Sequence, residues 1–426
     1  MKNLETAKKY QDYMVGARRH LHENPELSGK EYETVKFIMA ELDKMGVDYI
    51  EVENGGVLAT IKGPAEKDTG KTVLLRADCD ALPVQEKENL NNTRCVWSKN
   101  PGVMHACGHD GHTAALLGAA KVLLEKKDEL EGTVILCFER GEEMAGSVKY
   151  IFAYMEKNGY KVDSCFGMHV DLGVETGKIA VNDTNALAGA FGFDITIEGQ
   201  GGHGSRPDRA ESPIDCFLAI YQRMQTLRLT KVNPFTPATY SVGKLVSGIQ
   251  GNVIPQTLNF AGTMRYYDDS AVDEFKTEFK YIVDSICAAY HCKPTYNNFG
   301  APGFATVNDP ECAQFARKVF ADELGEENVI QIEPLMGSES YSQYIKQWPG
   351  CFAFLGVHNP AKGTGAANHN ERFDIDEDAL AVGAACHATY AIEFLKSDFV
   401  TTHNEKYPFS ELLKIAGRTA DLEELY

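Results

Sequence analysis

"KTVLLRADCDAL" (Lys71 to Leu82) and "GTVILCFERGEE" (Gly132 to Glu143) begin alike. Each opens as a run of β-branched and apolar residues and then breaks into acidic ones, the pattern of a buried strand that ends at a polar crevice. "SCFGMHV" (Ser164 to Val170) is a third such run, ending in a histidine. Between the first two, Gly111 to Glu125 carries apolar residues at helical spacing. Strand, helix, strand at this scale predicts an α/β domain with a mainly parallel sheet. Further on, "GCFAFLGV" reads as another strand, and Asp378 to Leu395 as a closing helix.

The middle of the chain reads differently. "AFGFDITIEGQ" alternates as a strand, and Ser212 to Arg228 is helical, with Ser212 as its cap and Pro213 in its first turn. "ATYSVGKLVSG" and "TLNFAGTMRYY" are two strands joined by "IQGNVIPQ". Asp269 to Cys292 is a long helix, and "KPTYNNFG" a short last strand. The order β-α-β-β-α-β is the ferredoxin-like split unit. It predicts a self-contained α+β module over residues 185–300, inserted into a domain made of 1–184 and 301–426. A chain of 426 residues is too long for one ordinary core, so two domains are expected on length alone.

Composition narrows the function. Lys and Arg total 42 against 61 Asp and Glu, a net charge of -19, which disfavours nucleic acid and anionic membranes as partners. The N-terminal "MKNLETAKKYQDYMV" has no apolar signal core, and the apolar stretch from Ala379 to Leu395 is broken by Cys386, His387 and Glu393. The 11 cysteines lack framework spacing and read as reduced thiols, so a cytoplasmic protein is expected.

The reactive residues recur at one kind of place. Asp78 and Asp80 follow "TVLLR"; Glu142 and Glu143 follow "TVILCF"; His169 ends "CFGM"; His358 follows "FAFLG", with His369 in the loop beyond. These are the carboxyl ends of strands, where open α/β sheets bind ligands. "MHACGHDGHTAALLGAA" (Met104 to Ala120) puts Cys107 and His109 just before a helix, within reach of the same crevice. A lone cysteine is usually core filler, a lone histidine after a strand is usually a satisfied polar residue, and acidic pairs are mostly solvated. Two adjacent carboxylates in a crevice, however, cost free energy unless a cation is present. Thiolate, imidazoles and carboxylates converging there point to a metal site. Thiolate and imidazole suit zinc, cobalt or nickel, and several carboxylates also suit manganese. Five or more ligands exceed one tetrahedral ion, so two divalent ions are expected, the arrangement used in aminopeptidases.

On these residues the chain resembles the di-metal amidohydrolase and metallopeptidase family of hippurate hydrolase, auxin-conjugate hydrolases, bacterial N-acyl-amino-acid amidohydrolases and thermostable carboxypeptidase. The matching stretches are "RRHLHENPELSGKEYET", "LLRADCDALPVQE", "KNPGVMHACGHDGHTAALLGAA", "FGMHV", "GGHGSRPD", "NVIPQ" with "AGTMR", and "RFDIDEDAL". The resemblance implies an aminopeptidase-like domain with an inserted dimerisation lid. It implies Cys107 as a metal-bridging thiolate and His109, Glu143, His169 and His369 as further ligands. His369 is favoured over His358 for its distance to "FDIDE". Glu142 matches the general base, and Asp80 a carboxylate beside the metal centre. In the lid, His203 matches a histidine that reaches the partner subunit's site, and Asn252 and Arg265 match positions that hold the substrate's carboxylate. Two departures stand out: Glu139-Arg140-Gly141 replaces the usual glutamine-proline-alanine before the glutamate pair, and "GSESYSQY" replaces an acidic-phenylalanine version.

The implied reaction is hydrolysis of the amide bond of an N-acyl amino acid by a homodimer. Glu142 takes a proton from the attacking water and passes it to the leaving amine, and His203 stabilises the oxyanion across the dimer. A carboxypeptidase or dipeptidase acting on a short peptide is the nearest alternative. A metal-binding oligomer without activity is a third, against which the intact Glu142 argues.

Overall fold

The computed structural model describes residues 2–144, 146–300, 303–401, 408–415 and 419–425. Its larger sheet has eight strands, in the spatial order Asp48–Val52, Gly56–Lys62, Gly132–Glu139, Lys71–Asp78, Ser164–Glu175, Gly350–His358, Ile179–Ala180 and Val329–Ile330. The four central strands, from Gly132–Glu139 to Gly350–His358, are parallel to one another. The hairpin formed by Asp48–Val52 and Gly56–Lys62 adds antiparallel pairs at one edge. The sheet is therefore mainly parallel, as the apolar runs predict, and central strands such as Lys71–Asp78 are buried along almost their whole length.

Helices His109–Glu125 and Ala379–Lys396 lie against one face of this sheet. Fourteen of the seventeen residues in the first are buried, so it is a core helix rather than a surface one. It starts two residues earlier than its apolar spacing suggests, which puts His109 in its first turn. Small residues let elements approach closely here. A Cβ at Gly118 would meet Met14 Sδ at 2.1 Å, so the Gln11–Glu23 helix crosses at contact distance.

Residues 189–298 build a separate four-stranded sheet in the order Ala238–Ser247, Thr257–Tyr266, Gly189–Glu198, Lys293–Asn298, antiparallel throughout. Helices Pro213–Thr230 and Asp269–Ala289 cover one face with a core of their own, which includes Phe193, Phe260, Phe275 and Phe279. This is the ferredoxin-like arrangement of the fold class read from sequence. Ser212 caps the first helix by accepting a bond from the Asp215 N–H at 3.2 Å. The connection "IQGNVIPQ" holds a strand the alternation does not reveal: Val253–Ile254 pairs with Gly202–His203. No helix among the described residues is long and apolar enough to cross a membrane.

Candidate active site

A cavity of about 870 Å³ opens beside the carboxyl ends of the central strands; Cys107, Glu142, Glu143, His169, Arg265 and His369 line it. Two of the strands deliver their residues where they end. Lys71–Asp78 releases the chain into Asp78 and Asp80, and Gly132–Glu139 releases it into a short turn of helix, Glu142–Met144. His169 sits within the long Ser164–Glu175 strand. Between Cys107 and His109 the backbone must reverse, and Gly108 does so at φ +90°. A Cβ there would lie 2.4 Å from Val170 Cγ2, so only glycine brings thiol and imidazole to the same side.

The ligand-type atoms converge. Cys107 Sγ is 3.3 Å from His169 Nε2. Glu143 Oε1 is 3.2 Å from His369 Nε2 and 4.0 Å from His109 Nε2. Four overlapping triads keep their donor atoms within 4.8 Å of one another: Cys107–His109–His169, Cys107–Glu143–His369, His109–Glu142–Glu143 and Asp78–His109–His112. His109 Nε2 and Glu143 Oε1 are buried with no hydrogen-bond partner among the described residues, atoms that a cation would satisfy. The donor set of thiolate, imidazole and carboxylate therefore fits divalent ions. His358 belongs to none of these triads; it ends its strand and packs against Gly365. His369 reaches the cluster through a left-handed backbone, φ +65°, held by a 2.7 Å bond from its N–H to the Ala106 carbonyl.

Around the donors lies a buried frame. Asp80 Oδ1 is 2.9 Å from His109 Nδ1, which turns the other ring nitrogen toward Glu143. Asp80 Oδ2 also accepts from Ser28 Oγ and from the Glu143 N–H. The three histidines of the "MHACGHDGHT" stretch divide: His109 is in the cluster, His112 bonds Asp78 at 2.6 Å, and His105 is buried with neither ring nitrogen paired among the described residues. Burial holds the His105 imidazole down at about 4.

The reading from sequence put Asp78 at the crevice without a particular role, and assigned none to His112, Arg76, Glu339 or Ser340. Arg76, fully buried, donates to Glu139, Asp78 and Ser340 and lies 3.1 Å from Glu339. Ser340 donates its N–H to Glu142 Oε1 at 2.9 Å. The signal for these two was the unusual "GSES" stretch: Glu339 lines the cavity and Ser340 holds Glu142.

The electrostatics follow from this crowding. Burial alone would raise the Cys107 thiol, but His169 and His109 hold it well below the ordinary thiol range. His169, which burial would lower, is lifted to about 9 by Cys107. Burial, and then the nearby Glu339 carboxylate, push Glu142 well above the usual carboxylate range.

The inserted module contributes Leu187, Ala190 and Arg265 to the lining of the cavity, and Arg265 is the one charged side chain among them. Arg265 lines it and bonds the Met336 and Met264 carbonyls and the Thr263 hydroxyl. His203 and Asn252 do not line it. They are exposed neighbours at the tip of the module, where the Gly204 N–H meets the Asn252 carbonyl.

Comparison with known proteins supplies the family context. The model of peptidase family M20/M25/M40 matches residues 74–393. The chain is 37% identical to thermostable carboxypeptidase 2 of Saccharolobus solfataricus over 91% of its own length and 96% of that protein's. It is 37% identical to the IAA-amino acid hydrolase ILR1-like 4 of Arabidopsis thaliana over 94% and 90%. Among solved structures, the Bacillus subtilis YXEP protein, a dinuclear metal binding peptidase from the M20 family, superposes with a TM-score of 0.75 at 30% identity, covering 91% of this chain and 99% of that one.

Proposed function

The chain belongs to peptidase family M20/M25/M40 and is a hydrolase of amide or peptide bonds, and from that premise we propose that it cleaves N-acyl amino acids to a carboxylic acid and a free amino acid. The observation that carries this reading is Arg265. It lines the same cavity as the ligand cluster, yet its partners are carbonyl and hydroxyl oxygens, with no carboxylate paired to it among the described residues. A half-buried guanidinium left without an anion is suited to the α-carboxylate of a substrate.

Cys107, His109, Glu143, His169 and His369 would hold two divalent cations, zinc, manganese, cobalt or nickel. Cys107 is shared by two of the triads, and its thiolate would supply charge to both ions. Bound cations supply charge that polarises the amide carbonyl and acidifies a water. Glu142, positioned by the Ser340 N–H, takes the proton of the attacking water and returns it to the leaving nitrogen. Asp80 orients His109 through Nδ1. Arg265 fixes the carboxylate of the amino-acid half, with Asn252 and His203 contributed from a partner subunit. The module of residues 185–300 is the surface through which two chains pair. The edge strand Ala238–Ser247, hydrogen-bonded on one side, and the exposed Leu218, Leu245 and Val246 support that assembly.

A second reading, a carboxypeptidase, is favoured by the equal identity to the archaeal carboxypeptidase. Metal analysis of the pure protein, followed by N-acetyl and N-benzoyl amino acids assayed beside dipeptides, separates the two. Release of amino acid from the N-acyl compounds supports the proposal. Turnover of the dipeptides alone replaces it with the peptidase reading.

A further inference from the structure

The cavity has a wall that the chemistry above does not use. Phe409, Leu412 and Leu413, all but fully buried, line it together with Asp421. They belong to the Phe409–Ile415 and Thr419–Leu425 helices, beyond the last residue of the family match. The segment is anchored. The Phe409 ring meets Phe152 edge-on at 5.0 Å between centroids. Lys149 Nζ lies 2.8 Å from Asp421 and 2.7 Å from Glu424, and Tyr150 donates to Glu424 at 2.6 Å. Phe152, Lys149 and Tyr150 sit on Val148–Lys157, so the wall is tied to the helix that follows the Glu142–Met144 turn. Phe304, Leu335 and Phe354 line the same cavity and pack in the same apolar cluster. Three apolar side chains that complete a cavity of about 870 Å³ create room that an acetyl group would not fill.

We propose that the C-terminal segment from Phe409 to Leu413 is a specificity-determining wall of the substrate cavity and selects bulky apolar acyl groups over acetyl. The assignment to the acyl half rests on the proposed function. Arg265 takes the carboxylate from the inserted module, whereas this wall is carried by the catalytic domain and meets the group on the other side of the amide.

The test is the ratio of kcat/KM for the N-benzoyl and N-acetyl derivatives of one amino acid. Wild type should favour benzoyl. In the double variant Leu412→Ala, Leu413→Ala the ratio should fall about tenfold or more, the worth of a few lost apolar contacts. Leu412→Trp, which narrows the space, should lower it as well and serves if the double variant does not fold. Calorimetric titration of benzoate and acetate into the metal-loaded proteins gives the same comparison without turnover. An unchanged ratio in variants of normal melting temperature and metal content overturns the wall. If wild type cleaves dipeptides and no N-acyl amino acid, the proposed function fails, and the benzoate-to-acetate binding ratio still decides the wall.

Discussion

Glu142 and Glu143 are adjacent in sequence and different in surroundings. Glu142 accepts from the Ser340 N–H and faces Glu339; Glu143 faces His369 and His109. If the first moves protons and the second binds metal, Glu142→Gln should lower kcat by about 10²–10⁴-fold, while metal content by elemental analysis stays near wild type. Loss of both metals in that variant would reverse the two assignments. Cys107 offers an independent check. A thiol held between two histidines and bound to metal should resist iodoacetamide in the holoprotein and react once chelator strips the ions, read by peptide mass. Equal labelling in both states would remove it from the ligand set. Much of this cluster was legible because ligands need particular chemical types at strand ends. Distance to "FDIDE" favoured His369 over His358, but how it reaches the cluster was not legible: a left-handed φ at a non-glycine residue leaves no mark in the sequence, and it is what brings His369 to Glu143. Nor did sequence reveal Arg76, since a buried ion pair joins positions more than sixty residues apart.

Elements matter where they brace the ligand-bearing helix. Arg18, on Gln11–Glu23, lies wholly buried 2.8 Å from Asp110 and 3.2 Å from Asp374. Asp110 is the residue after His109, so this pair fixes the first turn of His109–Glu125. Burial would raise the Asp110 carboxyl, but Arg18 holds it far below the usual range. Arg18→Met strands carboxylates without their cation and should cost about 3–5 kcal/mol in urea unfolding. Its neighbour Arg19 pairs with Glu377 from a side chain 43% exposed, and Arg19→Met should cost about 1 kcal/mol or less. Similar losses from both would mean that the buried network contributes nothing special. At this scale apolar patterns located the central strands and long helices well, because the strands are almost wholly buried and each long helix buries at least one full face. The edge hairpin went unread although Asn54-Gly55 marks its turn, and Asn54 does adopt φ +59°. Its first strand is mostly exposed, so the pattern there is weak. The two-residue strands at His203 and Val253 are shorter than any period that could announce them.

At the scale of the molecule, the question is why His203 and Asn252 lie together on an exposed tip outside the cavity. Within one chain they have no evident task. In a dimer formed through the inserted module they can complete the site of the other subunit, as the resemblance in "GGHGSRPD" implies. Such an arrangement makes two defects in different residues separable by mixing. His203→Ala and Glu142→Gln should each be nearly inactive alone. After subunit exchange about half the dimers are mixed for random pairing. One site of each mixed dimer holds both defects, whereas the other pairs an intact Glu142 with an intact His203 from across the interface. Activity should therefore return to at most roughly a quarter of wild type. Exchange itself is checked by mass spectrometry of isotope-labelled subunits. If subunits exchange and no activity returns, His203 acts within its own chain or has no part in catalysis, and the exposed tip needs another explanation.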